Sequence, residues 1–71
     1  MTDRAKKYLE LSEKMDIAFN NEDDALDEQL SKEFADNKQQ MTVEELKSLE
    51  GHISAREYYL AIVPLIKSKQ A

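Results

Sequence analysis

Tyr58-Tyr59-Leu60-Ala61-Ile62-Val63-Pro64-Leu65-Ile66 is the one long apolar run in the chain. Read as a helix, it is apolar on nearly every face, which predicts burial on several sides, inside its own domain or against a partner. The run is far shorter than the roughly 20 residues a membrane-spanning helix needs. Lys67 and Lys69 follow it, and cations suit the negative end of a helix. Pro64 interrupts the pattern. It has no N–H to donate to the carbonyl of Leu60, and it disfavours helical geometry at Val63. The expectation is a kink at Pro64, or a helix that stops near Ile62 and restarts. Tyr, Ile and Val also favour strands, but no second segment offers a strand to pair with. The run is therefore read as the last helix of an all-α fold.

The whole chain has 71 residues, enough for one small domain. A single core of this size leaves little net stability, and small chains often add a staple or a second subunit. There is no Cys and only one His, so neither a disulfide nor a thiolate or histidine metal site is expected. Met1-Thr2-Asp3-Arg4 leads into no apolar segment, so no signal peptide is read and the cytoplasm is the expected location. One Gly and one Pro are too few for the turns of an all-β fold. With 41% hydrophobic residues against 35% charged, the composition supports a folded chain.

The net charge is −5 and it is unevenly placed. Residues 1–19 sum to zero, residues 20–37 carry seven acids against Lys32, and residues 38–71 sum to +1. The middle segment thus holds the whole excess. An acidic surface of this kind repels nucleic acid. It suits a basic protein surface, or it imitates a phosphate backbone.

Tyr8, Leu11, Met15 and Ala18 recur at helical spacing and predict a first helix over about 3–19, bordered by Ala5 and Phe19. Leu9 and Ile17 fall off that stripe, which implies either a broad core face or a second contact surface. Asp3–Lys7 and Glu10–Lys14 are i,i+4 pairs with the acid first, the favourable order on a solvated face. Asn20-Asn21 reads as a turn, with Asn21 as cap of a second helix over about 22–36. That helix carries Leu26, Leu30 and Phe34 in a narrow stripe. Asp23–Asp27 and Asp24–Glu28 are like-charge i,i+4 pairs, a small cost. They fit a solvated helix start, or an acidic docking face kept despite the repulsion. Asp36 to Gln40 reads as a loop. Thr42-Val43-Glu44-Glu45 is a capping box flanked by Met41 and Leu46, and it starts a third helix over about 43–50. Val43, Leu46 and Leu49 point inward, and Gly51 stands where a left-handed residue ends a helix. Ser54-Ala55-Arg56-Glu57, flanked by Ile53 and Tyr58, repeats the signal and starts the last helix, about 55–67.

The chemistry-bearing patterns are few. An EF-hand fails because, counting from Asn21, the fifth residue is Ala25 and the sixth is Leu26, where an oxygen ligand and Gly are needed. A DNA-reading helix-turn-helix fails because the helix after Gly51 offers only Arg56 before its apolar run. His52 stands alone in a turn, Ser54 is used as a cap, and one Gly builds no phosphate loop. No catalytic, cofactor-binding or metal-binding residue is assigned.

The reading is a single all-α domain over residues 1–71. It is a small bundle of three to four short helices, with the apolar C-terminal helix central and packed by the others. The expected function is a non-enzymatic protein–protein interaction module: a small acidic adaptor, inhibitor or assembly factor. Asp23, Asp24, Asp27 and Glu28 would steer a basic partner surface, while Tyr58, Tyr59, Ile62 and Ile66 would supply apolar contact. Tyr58 and Tyr59 lie about 100° apart on a helix, so one can face the core and the other solvent. The rival is a nucleic-acid mimic occupying a DNA- or RNA-binding protein. Self-association through the last helix is a third expectation. Direct nucleic-acid binding, membrane insertion and a cofactor are not expected.

Overall fold

Thr2 begins the first helix. Its hydroxyl accepts from the amide of Ala5 at 3.3 Å, so α1 runs Asp3–Asn20. In the computed structural model, which describes all residues Met1–Ala71, α1 is followed by α2, Asp24–Gln40, and α3, Val43–Lys47. The last helix, α4, is composite. Ala55–Glu57 is α-helical, Tyr58–Ile62 is a π-helical turn, and Val63–Gln70 is α-helical again. Residues at both junctions keep right-handed helical angles, so the three pieces run on as one helix. The chain is all-α, with four helices and no strand. No helix is long and apolar enough to cross a membrane.

α1 and α2 form an antiparallel hairpin. The turn between them is a Schellman closure: the Glu22 amide donates to the Phe19 carbonyl at 3.1 Å and the Asp23 amide to the Ala18 carbonyl at 2.9 Å. Such a closure needs a left-handed residue, usually Gly, and here Glu22 takes that place at φ 57°. Asn21 is therefore the end of α1 rather than the cap of α2. Asp23 caps α2 by accepting from the Leu26 amide at 3.2 Å. At its other end α2 continues through the segment read as a loop. The override is tertiary: Asn37 is buried, and its amide donates to the Arg4 carbonyl at 3.1 Å.

The capping box at Thr42 is complete, with Glu45 N–H to the Thr42 hydroxyl at 3.1 Å and Thr42 N–H to the Glu45 carboxylate at 3.0 Å. α3 is one turn long; residues 48–50 pass into turns, and Gly51 is left-handed at φ 87°. Ser54 caps α4 through the Glu57 amide at 3.1 Å, without the reciprocal bond.

Pro64 neither ends nor breaks the last helix. Just before it, the Val63 amide donates five residues back to the Tyr58 carbonyl, the bond of a π turn. Four-residue steps on an α-helix drift by about 40° each. The wider turn takes up drift of that sense, and Tyr58, Ile62 and Ile66 all reach the core.

That core joins Ala5 and Tyr8 of α1, Met41, Leu46 and Leu49, and Tyr58, Ile62 and Ile66 of α4. Leu9, Phe34, Val43, Ile53, Val63 and Leu65 pack around it. The expected central position of α4 is not confirmed. One stripe of it is buried, while Tyr59 and Leu60 are 64% and 68% exposed. The longest contact in the molecule is instead α1 on α2. A second, smaller cluster of Leu11, Ala18 and Leu30, with Met15 and Phe34, lies further along that hairpin and contains no residue of α3 or α4. The molecule, 37 Å long and 21 Å across, therefore has two storeys: a base where α3 and α4 cover the hairpin, and a tip where α1 and α2 have only each other.

Candidate functional site

The base is tied by side chains that have structural work to do. The Thr2 hydroxyl, besides capping α1, donates to the Glu45 carboxylate, so one pair joins the starts of α1 and α3. These donors hold the Glu45 carboxyl below the usual carboxylate range, the Thr2 hydroxyl first and the Thr42 amide next. The Arg4 guanidinium donates to the Gln40 side chain at 2.7 Å and to Asn37 at 3.4 Å. The Lys69 ammonium donates to the Gln39 carbonyl at 2.7 Å, fixing the end of α4 to the end of α2. Burial, with the nearby Glu57 carboxylate, pushes the Tyr8 phenol up to about 12. Burial and Glu50 push Tyr58 upward as well. No fully buried side-chain nitrogen or oxygen lacks a hydrogen-bond partner.

One cavity is present, an open groove of about 430 Å³ lined by Asp3, Lys6, Lys7, Glu10, Leu11, Lys14 and Glu33. Leu11 is its only apolar residue. A binding pocket of the usual kind is enclosed and largely apolar with a few convergent polar groups; this groove is neither. No group of three or more His, Cys, Asp or Glu side chains is placed to hold a metal ion. His52 is exposed in the turn after Gly51.

The residues read as contact residues separate. Tyr58, Ile62 and Ile66 are buried at 6%, 0% and 6% exposure; in this fold they hold α4 to the base. Tyr59 remains outside, its ring edge-on to Tyr58 at 5.6 Å. Asp23, Asp24 and Glu28 are exposed and Asp27 is half-buried, all in the first turns of α2 at the tip.

The tip also carries residues that the sequence reading left in the core or at its border. Ile17, Phe19 and Leu26 are 54%, 74% and 42% exposed. The stripe pattern places Leu26 and Phe19 beside buried neighbours, but nothing covers them because α3 and α4 fold back onto the base. Ile17 alone was signalled, by falling off the stripe. Around them the charge has one sign. Between Lys14 and Lys32 there are six acids, Asp16, Glu22, Asp23, Asp24, Asp27 and Glu28, and no base. Lys14 and Lys32 themselves face Glu10 at 3.1 Å and Glu28 at 3.7 Å on their own helices. No family model matches this chain, and no curated protein or solved structure matches it.

Proposed function

We propose that this chain is a non-enzymatic protein-interaction module whose contact surface is the tip of the α1–α2 hairpin. One observation carries the reading: the tip leaves large apolar side chains exposed on both sides of the hairpin, Phe19 on one face of α1, Ile17 on the far one, and Leu26 on α2, in a segment with six acids and no base. Exposed apolar side chains set within a polar rim mark interaction sites. The acids supply the rim and steer a basic partner surface, and the apolar residues, once desolvated, hold it. Glu22 supports the assignment. It keeps a charged residue at a left-handed position where Gly costs less, and local strain of this kind is concentrated at functional sites.

This differs from the sequence reading in the source of the apolar anchor. In the C-terminal run the exposed residues are Tyr59, Leu60 and Pro64, and the run itself holds no acid.

The test compares proteins retained from lysate by three forms of the chain at low and at moderate salt: the native chain, a form with Asp23, Asp24, Asp27 and Glu28 changed to amides, and a Phe19→Ala/Leu26→Ala form. An interaction module held by apolar contact keeps its partner in the amide form, with slower association, and loses it in the Phe19→Ala/Leu26→Ala form. The opposite pattern, in which neutralisation abolishes binding and the apolar changes do not, replaces this reading with the nucleic-acid mimic.

A further inference from the structure

We propose that the tip of one copy docks on the outer face of α4 of a second copy, so that the chain masks its own contact surface at high concentration. The proposal rests on the tip reading above and names the occupant of the tip when no tighter partner is present.

α4 has an outer face that the bundle does not use. Two rows run along it at four-residue steps, Arg56, Leu60 and Pro64 in one and Tyr59, Val63 and Lys67 in the other. The π turn keeps such steps in line here, as it does for Tyr58, Ile62 and Ile66 on the buried side. Val63 is half-buried and the other five residues are exposed. The face thus has an apolar middle with a cation at each end. Neither cation is spent within the chain. The two salt bridges are those of Lys14 and Lys32, and the cations tied by hydrogen bonds are Arg4 and Lys69. Glu57, the one acid of α4, lies off both rows, half-buried beside Tyr8.

Charge selects the occupant. Two copies can pair the tip and the α4 face in three ways. α4 on α4 sets Arg56 and Lys67 against the same cations, and tip on tip sets six acids against six; both oppose association. Tip on α4 sets the acids against two unpaired cations. It also lays Phe19, 74% exposed, on Tyr59 and Leu60, 64% and 68% exposed. Phe19 acts here as a single knob seated on an apolar patch elsewhere on the molecule, which makes a contact between unlike surfaces. A copy cannot satisfy itself in this way, because α3 and α4 cover the base while the tip lies at the other end of a 37 Å molecule. The net charge of −5 opposes the approach of two copies, but screening over about 8 Å at physiological salt leaves the local pairing to decide. Each added copy leaves one tip and one α4 face free, so association is open-ended. A contact of this kind belongs with the weak ones that bury less than about 1,200 Å², half-formed at roughly 0.1–1 mM. At lower concentrations the tip is free, and a tighter partner displaces the second copy.

Sedimentation velocity of the full chain at physiological salt, from about 0.01 to about 1 mM, tests this with two variants. The mean mass of the native chain is expected to rise past that of a dimer without a plateau. Phe19→Asp, which blocks the tip, and Leu60→Asp, which blocks α4, should each stay monomeric alone. Mixed in equal amounts they should associate again and stop at a dimer, because only the tip of the Leu60→Asp copy and the α4 face of the Phe19→Asp copy remain. Recovery in the mixture also shows that both variants are folded. Phe19→Asp adds an acid to the tip, so its loss of association assigns the contact to the ring rather than to charge. A native chain that stays monomeric throughout overturns the proposal but not the tip reading, which the lysate comparison decides separately. A native plateau at a dimer, with no recovery in the mixture, shows a contact between like surfaces and overturns it. Association that survives Phe19→Asp overturns it as well, and removes Phe19 as the anchor of the tip reading.

Discussion

Asn37 is the only buried polar side chain, and it decides where α2 ends. Its amide donates to the Arg4 carbonyl and its oxygen accepts from the Arg4 guanidinium, so the last turn of α2 is held to the first turn of α1. Asn37→Ala removes the side chain and strands the Arg4 groups; unfolding in urea should show a loss of about 1–3 kcal/mol. Tyr8 makes a second residue-scale prediction. Its pKa, raised to about 12 from 10.0, means that the native state holds the phenolic proton more tightly than the unfolded chain. The resulting stability is complete below pH 10 and is lost as pH rises through 12. Two units correspond to roughly 2–3 kcal/mol. Alkaline unfolding of a Tyr8→Phe variant should lack most of that slope; an unchanged slope would place its origin at Tyr58 or elsewhere.

Among the elements, the α1–α2 turn was the least legible. Asn20-Asn21 marked a break correctly, since Asn favours turns, but the left-handed position fell one residue later, on Glu22. No propensity points to Glu there. Glu22→Gly should raise stability by about 1 kcal/mol, through release of strain and of like-charge repulsion; thermal unfolding measures it, and a loss would show that Glu22 makes a contact worth more than its strain. The helix starts at Thr42 and Ser54 were readable because caps are local: the hydroxyl and the amide it meets are three residues apart. Thr42→Ala should cost about 1 kcal/mol or more, since its partner Glu45 also receives the Thr2 hydroxyl. The extension of α2 through Gln40 was hidden because Arg4, its partner, is 33 residues distant from Asn37 in sequence. The stripe on α1 was legible through Tyr8, Leu11 and Ala18, all buried. Phe19 was not placed, because periodicity gives the face of a helix and not the length over which something covers it. The same limit applies to α4, where apolar residues on nearly every face left open whether the chain itself or a partner covers them, and within the chain only one stripe is buried.

At the scale of the whole molecule, base and tip differ in the number of layers, and this has a dynamic consequence. Opening free energies follow local burial. Amides of α1 near Ala5 and Tyr8 and those of α4 near Ile62, where the core is complete, should exchange slowest. Amides around Met15 to Ala18 and Leu26 to Leu30, with one small cluster between two helices, should exchange faster. Native-state hydrogen exchange reads this directly, and equal protection at both ends would contradict the two-storey description. A partner that adds the missing layer should then slow exchange at the tip. Site-specific photocrosslinking in the producing cell decides whether the tip or the C-terminal helix meets the partner. A benzophenone side chain is placed at Phe19, at Leu60 or at His52, three exposed positions. A partner seated on the tip gives a discrete adduct from position 19, reduced when Asp16, Asp23 and Asp27 are changed to Asn, and none from positions 60 and 52. An adduct from position 60 with none from position 19 would contradict it and return the contact surface to α4.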